Sequence, residues 1–463
     1  MAETDDATAP RPASHGGAWE RVDDEVVRFT RDLIRIDTSN RGGGDCWERP
    51  AAEYVAARLA EAGLEPAVLE AAPGRTNVVA RVAGSDPSAP ALLVHGHLDV
   101  VPAEPDEWRV APFSGEVREG MVWGRGAIDM KNADAMVLAL VRSWMRAGVR
   151  PTRDVVLAFT ADEEDSAAYG ADWLVREHAD LFEGCSEAIG ESGAHTFHTR
   201  SATGAPVRIY PVGAGERGTA WLRLSARGTA GHGSKVNDDN AVAALAATVA
   251  RIGQHRWPVR LTPVTRAALA ELGRAVGVAA DPEAPGFDVE RDLPELLERL
   301  GPAAELVRST LCNSAAPTVL DAGGKINVIP ATASAGIDGR VLPGTEAEFE
   351  ATMDALTGTR VEWTYAHRSI PLAAPVDSPT FAAMRAALRA HDPGAHVVPV
   401  CLSGGTDAKQ FAALGITGYG FSPLLLPESL DYGALFHGVD ERVPIEALRF
   451  GVRVLDHFLR SVA

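Results

Sequence analysis

Apolar positions recur at three and four residues from Asp23, where Val26, Phe29, Leu33 and Ile34 share a face, and again from about Pro50, where Val55 and Leu59 turn inward until Gly63. Both stretches predict helices. Short apolar runs follow at Asn77 to Val82, Ala91 to Val94 and Val155 to Thr160. They suit strands covered on both faces, although periodicity alone does not separate such strands from buried helix. Between the last two runs, Met136, Leu140 and Trp144 stand four apart in a helix over about Ala133 to Arg146. Strands alternating with helices predict a mostly parallel α/β sheet.

After about Ala205 the texture changes. Thr219 to Ser225 alternates as a half-exposed strand, Asn240 to Ile252 is helical, a short strand lies near Thr318, and Thr332 to Arg340 is another strand. A helix from Thr345 and a strand over Arg360 to Tyr365 complete β-α-β-β-α-β, the order of a small ferredoxin-like α+β layer. The stretch from Gln254 to Ala316 is extra to that layer and reads as helical. Longer helices and short strands resume after Pro371, ending in a helix with Ile445, Leu448, Val452, Leu455 and Leu459 on one face. The expected organisation is a flexible leader over 1–22, a large domain over 23–205 and 371–463, and an inserted smaller domain over 206–370 with a helical insertion at about 254–316.

The chain has 463 residues, 46% of them hydrophobic and 23% charged, which is ordinary globular usage and excludes both a disordered chain and a small stapled scaffold. Lys and Arg number 44 against 63 Asp and Glu, and the net charge of −19 repels phosphate backbones and anionic headgroups. Neither nucleic acid nor a membrane is an expected partner. Cys46, Cys185, Cys312 and Cys401 lie far apart without a Cys-x-x-Cys pair, so a reducing compartment fits best. The start of the chain carries Glu3, Asp5 and Asp6 where a secretory signal would have a basic start and an apolar run. A cytoplasmic location is expected.

Chemistry gathers where apolar runs end. After Ala91 to Val94 comes His95-Gly96-His97-Leu98-Asp99, an imidazole and a carboxylate two apart, a segment that taken alone reads more readily as a solvated strand end than as a ligand and its neighbour. Asp129, in Gly124-Arg125-Gly126-Ala127-Ile128-Asp129-Met130-Lys131, stands just ahead of a helix and is either a cap or a ligand. The strand Val155 to Thr160 runs into Asp162-Glu163-Glu164-Asp165, either a solvated acidic turn or a ligand set at the edge where ligands of open α/β sheets collect. Adjacent side chains diverge, so one Glu of this run can bind an ion while the next faces substrate. Glu191 follows another short apolar run, and His437 sits in Phe436-His437-Gly438-Val439-Asp440-Glu441. Two His and three carboxylates suit two divalent ions, with zinc favoured and one carboxylate shared.

In order and spacing these segments resemble the dinuclear zinc metallopeptidase and amidohydrolase family of aminoacylases, glutamate carboxypeptidases, acetylornithine deacetylase and succinyl-diaminopimelate desuccinylase. The resemblance implies a zinc-peptidase catalytic domain with the smaller domain as a lid. It implies His97 and His437 as ligands of different ions, Asp129 as the bridge, Glu164 and Glu191 completing one set each, Asp99 fixing the tautomer of His97, and Glu163 as general base. In the lid, His232 within Gly231-His232-Gly233 would stabilise the oxyanion, and Asn327 and Arg340 would bind the substrate carboxylate, although Arg340 beside Asp338 also reads as a surface pair. Ser403-Gly404-Gly405-Thr406-Asp407 resembles the family's backbone-binding loop, which makes Gly405 and Thr406 substrate-binding and leaves Asp407 as a turn former or part of the site.

The implied activity is hydrolysis of a peptide or N-acyl amino-acid amide bond by a metal-bridging water, with two Zn2+ per chain, or Co2+ or Mn2+ in their place. The alternatives are the same fold run reversibly as an N-acyl amino-acid synthase/hydrolase, or a non-catalytic metabolite-binding relative. Dimeric relatives pass the lid histidine to the neighbouring chain, so a homodimer is implied. Asn132-Ala133 and Ser166-Ala167 stand where the family usually has glycines, which affects the shape of loops and not the ligands.

Overall fold

The computed structural model describes residues 16–279, 281–282 and 284–462. Of the leader expected over 1–22, residues 1–15 lie outside the described residues, and the first helix, Gly16–Ile34, begins ahead of Asp23. Val26, Phe29, Leu33 and Ile34 are fully buried on its inner face, against the helices Lys131–Ala147 and Ile445–Ser461. Lys131, itself buried, donates Nζ to the carbonyls of Leu33 and Ile36, so one cation satisfies the end of the first helix and anchors the start of Lys131–Ala147.

These helices cover one face of a ten-stranded sheet. Its order is Ala67–Ala72, Arg75–Val82, Val155–Thr160, Ala91–His97, Cys185–Gly190, Thr417–Gly420, Pro206–Glu216 and Leu372–Ala373, with Phe197–Arg200 and Ala395–Leu402 also paired to Pro206–Glu216. The four strands from Val155–Thr160 to Thr417–Gly420 are mutually parallel, and antiparallel pairs are confined to the flanks. Central strands are buried on both sides: Leu92 and Val94 face the long helices, while Leu93, Val156 and Ala158 pack on Leu174, Phe182 and Phe411 behind.

A second sheet is inserted between Arg217 and Pro371. Its four antiparallel strands run in the order Ser314–Ala322, Thr332–Val341, Gly218–Arg227 and Val361–Arg368. The helices Ala241–Gln254 and Glu346–Thr357 cover one face, burying Leu222, Leu224, Ile337, Leu245, Phe349 and Met353. This is the expected β-α-β-β-α-β order.

Two details differ from the sequence-based organisation. The strand Pro206–Glu216 belongs to the large sheet, so the chain crosses between sheets at Arg217 and not at residue 206. The helices of the 254–316 stretch, Pro263–Val276 and Val289–Leu300, pack Leu269, Leu272, Leu293 and Leu296 on Val207, Ile209, Val398 and Val400 of the large sheet, and not on the four-stranded layer. The apolar stripes of these helices cover one side of strands that would otherwise be bare. Among the described residues, no helix is long and apolar enough to cross a membrane, and the four cysteines are free thiols.

Candidate metal centre

Register explains why distant residues meet. His97 pairs with Thr160 and Val94 with Ile189 across parallel neighbours, so the segments after Thr160 and Gly190 leave the sheet at the edge where His97 ends its strand. Glu163, Glu164 and Glu191 follow directly. Asp129 and His437 arrive on loops above the same edge. Asp129 does not cap the helix that follows it: Met130 is the N-cap, without a side-chain bond, and the Asp129 carboxylate turns to the histidines.

That carboxylate lies between the two imidazoles. Its Oδ1 is 3.2 Å from His97 Nε2, and its Oδ2 is 3.4 Å from His437 Nε2. Glu164 Oε2 stands 3.1 Å from His437 Nε2, Glu191 Oε2 is 3.8 Å from His97 Nε2, and Glu163 Oε2 is 3.9 Å from the same nitrogen. Potential ligand atoms of His97, Asp129 and Glu164, and of His97, Glu163 and Glu191, lie within 4.8 Å of one another.

The electrostatics are those of a crowded donor set. Burial, and then the Glu191 charge, push the Glu163 carboxyl well up; burial pushes Glu191 up to about 8. Burial also raises Asp129, but hydrogen bonds from His437 and His97 outweigh it and hold that carboxyl low. Bonds to Asp129 and Glu164 lift His437 to about 10. A divalent cation suits this set: it favours ionised carboxylates and neutral imidazoles, and would engage Glu164 Oε1, a buried oxygen without a hydrogen-bond partner.

The residues behind the donors differ from expectation at one point. His97 Nδ1 meets the main-chain carbonyl of Asp99 at 3.0 Å, while the nearest Asp99 carboxylate oxygen is 3.7 Å away. Donation to that carbonyl leaves Nε2 free to act as the ligand atom. The Asp99 carboxylate is occupied elsewhere, accepting the N–H groups of Glu163 and Glu164 at 3.2 Å each and Asn40 Nδ2 at 2.9 Å.

Sequence reasoning assigned no role to Glu441, which is fully buried. It accepts Arg125 Nη1 at 2.7 Å and the N–H groups of Gly126, Ile128 and Asp129 at 3.1, 2.7 and 3.2 Å. One carboxylate thus ties the His437 loop to the Asp129 loop. Asp407, also buried, accepts Thr160 Oγ1 at 2.6 Å. The only sequence signal for either was its nearness to His437 or to the glycine-rich loop.

Other candidates lie apart from the donors. His232 is exposed on a two-stranded ribbon, Gly231–His232 with Val328–Ile329, where its ring meets Ser234 Oγ at 2.8 Å. Asn327 is beside it, its carbonyl accepting the Gly233 N–H. Arg340 is held on both Asp338 oxygens at 2.8 and 3.2 Å. Thr406 donates its N–H and hydroxyl to Glu216 at 3.1 and 2.7 Å. Gly405 lies against the end of the Lys409 side chain, which would have to shift to admit a Cβ.

A parallel-centred sheet thus brings imidazoles and carboxylates together at its carboxyl edge, beside an inserted four-stranded layer, as a donor set for divalent cations. Residues 93–461 match the profile of Peptidase family M20/M25/M40, and the chain belongs to that family. It is 26% identical over 457 residues to N-fatty-acyl-amino acid synthase/hydrolase PM20D1 of Xenopus tropicalis, covering 94% of this chain and 85% of the relative. It is also 26% identical over 451 residues to Aminoacylase-1 of Mus musculus, covering 94% and 95%. Among solved structures, the M20 family metallo-carboxypeptidase Sso-CP2 from Sulfolobus solfataricus superposes with a TM-score of 0.67 at 17% identity, covering 94% of this chain and 99% of that one.

Proposed function

We propose that the chain is a di-metal amidohydrolase that cleaves a peptide or N-acyl amino-acid amide bond. The observation that carries this reading is the Asp129 carboxylate, with one oxygen toward each imidazole. His97, Asp129 and Glu191 would hold one ion, and Asp129, Glu164 and His437 the other. Two divalent ions there, zinc by donor chemistry with cobalt or manganese as substitutes, would lower the pKa of a bound water and polarise the amide carbonyl.

The chain's own groups do the rest. Glu163, in excess of the two ligand sets, takes the proton of the attacking water and delivers it to the leaving amine nitrogen. Asp99 and Glu441 hold the loops that carry the donors. Arg340 and Asn327, on the inserted layer, would hold the substrate carboxylate, with Gly405 lining the approach. His232 would donate to the oxyanion from a second copy of the chain, a role that its exposed ribbon suits and that makes the enzyme a homodimer. Free thiols throughout fit a cytoplasmic setting.

The likeness to an N-fatty-acyl-amino acid synthase/hydrolase supports a second reading, in which the same site also condenses an acid with an amino acid. Elemental analysis and a panel of dipeptides, N-acetyl and N-fatty-acyl amino acids, assayed in both directions, test both readings. The expected result is near two divalent ions per chain and activity that chelation removes and zinc restores. Full activity in metal-free protein would refute the di-metal reading.

A further inference from the structure

The turn that carries Glu163 and Glu164 is tied to a buried ion cluster that the chemistry above does not use. Arg75 opens the strand Arg75–Val82, and Glu48 precedes the helix Arg49–Ala60; neither element supplies a donor to the metal centre. The side chains of Arg75, Glu48 and Asp162 are 2%, 0% and 0% exposed. Arg75 Nε and Nη2 donate to Glu48 at 2.8 and 2.7 Å, and Nη2 also reaches Asp162 Oδ1 at 2.7 Å. Glu48 Oε1 accepts the Asp162 N–H at 3.2 Å as well, and the guanidinium lies over the Tyr169 ring.

Asp162 sits at φ +66°, a region that residues with a Cβ seldom adopt. Besides Arg75 and Glu48, it is held by Asn40 Nδ2 at 3.2 Å, Ser166 Oγ at 2.9 Å and the Tyr169 N–H at 3.3 Å. The same Asn40 amide reaches Asp99, whose carboxylate accepts the N–H groups of Glu163 and Glu164. A continuous run of hydrogen bonds therefore leads from Glu48 through Arg75, Asp162, Asn40 and Asp99 to the backbone of the two glutamates.

Burying a guanidinium with two carboxylates is a poor source of stability, because desolvation offsets the Coulombic gain and apolar replacements of such triads are often neutral or better. What such a polar network supplies is a preferred geometry, fixed here by the hydrogen bonds named above, with Arg75 Nη1 left without a partner among the described residues. Here that geometry sets a strained residue immediately before the two glutamates, and any rotation at Asp162 would re-aim both carboxylates.

We propose that Arg75, with Glu48, is a positioning residue: its guanidinium holds Asp162 in the left-handed conformation and so keeps Glu164 on His437 and Glu163 clear for the reacting amide. The inference rests on the di-metal reading above. Its test uses the full-length chain and the double variant Glu48→Gln/Arg75→Met, which removes the ion pair without stranding the charge of Glu48. Asp162 keeps its charge and loses the guanidinium, so the double variant should melt several degrees below the parent while remaining folded at assay temperature. Its kcat should fall about 10–100-fold, the usual cost of losing an outer-shell contact, and its KM should change by less than about threefold. Its affinity for one of two titrated Co2+ ions should weaken in parallel. In Arg75→Ala, added guanidinium should restore part of kcat while equimolar urea should not.

A purely structural role predicts instead that the folded fraction falls while the molecules that remain folded turn over at the parent rate, without selective rescue. Parent kcat and parent Co2+ affinity in the folded double variant would overturn the proposal. Should the double variant not fold, Arg75→Lys, which keeps the charge but loses the fork, carries the same comparison. If the parent binds two Co2+ ions but hydrolyses no amide, the functional reading has failed. The Co2+ titration then decides Arg75 alone: weakened binding supports its role, and unchanged binding refutes it.

Discussion

The Asp99 carboxylate serves Glu163, accepting its N–H at 3.2 Å, while the Asp99 main-chain carbonyl serves the ring of His97, meeting Nδ1 at 3.0 Å. The two functions are separable by mutation. Asp99→Asn keeps the carbonyl, and with it the tautomer of His97, but places an amide donor where two backbone N–H groups point. Metal content should stay near that of the parent while kcat drops about 10–100-fold. If Asp99→Asn instead loses the ion held by His97 and keeps its turnover when metal is supplied in excess, the carboxylate orients the imidazole after all.

In the proposed mechanism the paired glutamates divide base from ligand. Glu164 Oε2 lies 3.1 Å from His437, whereas Glu163 approaches only His97, at 3.9 Å, where Glu191 already stands. Glu163→Gln should bind metal like the parent and lose about 10²–10⁴-fold in kcat, the range for a general base. Glu164→Gln should lose metal first. Elemental analysis beside steady-state kinetics checks both, and the reverse pattern would exchange the two assignments.

Much of this arrangement was readable from the chain because the short apolar runs end in the residues that matter. His97 closes one such run, and Glu163, Glu164 and Glu191 follow two others, so a parallel sheet is enough to bring them to one edge. The strand Pro206–Glu216 was not readable: Pro211, Gly213 and Gly215 look like breakers, yet a Cβ on Gly213 would stand only 3.0 Å from Gly420 Cα, so close packing of neighbouring backbone calls for glycine there. The helices after Gln254 were legible as helices, but the surface they cover was not, since nothing local records a tertiary partner. The same holds for Glu441 and Arg125, 316 residues apart, and for Arg75 with Asp162.

Acid should act on the fold at a site remote from the metals. Hydrogen bonds from Arg208 at 2.7 and 2.6 Å, opposed by burial and helped by Tyr210 at 2.9 Å, hold the Asp392 carboxyl below its ordinary 3.8. A depressed folded pKa contributes stability that is complete above the unfolded value and is lost as pH falls through the folded one. Asp392→Asn should therefore cost about 1–2 kcal/mol at neutral pH, toward the low end because Arg208 is 43% exposed. Urea titrations of both proteins should converge as pH falls below the ordinary 3.8 and through the depressed folded value. A difference that stays constant with pH would show that the ionisation of Asp392 contributes nothing.

Arg340 offers a test of how the carboxylate end of a substrate is held. Its guanidinium is aligned by Asp338, with Thr219 Oγ1 3.3 Å from Nη1. Arg340→Ala should raise KM for substrates with a free carboxylate by roughly 10-fold or more, as expected for losing a charge-assisted hydrogen bond, with a smaller change in kcat. Amidated or esterified analogues should be poor for both proteins. Equal losses on free and blocked substrates would mean that Arg340 only supports the sheet through Asp338.

His232 gives the sharpest statement about assembly. Within one chain its imidazole is exposed on the Gly231–His232 ribbon and meets Ser234, while His97, Asp129 and His437 gather at the edge of the other sheet. If the ribbon of one copy reaches the centre of another, Glu163→Ala and His232→Ala should each be nearly inactive alone. Mixed and allowed to exchange, they form hybrid dimers in which one of the two sites combines an intact Glu163 with an intact His232 from the other chain. Activity should then recover to at most half that of a parent dimer and should rise with the fraction of hybrids, measured by differently tagged subunits. A monomer by sizing, or verified hybrids that remain inactive, would place His232 on its own chain's centre, which would require the four-stranded layer to swing about its crossovers at Arg217 and between Arg368 and Leu372.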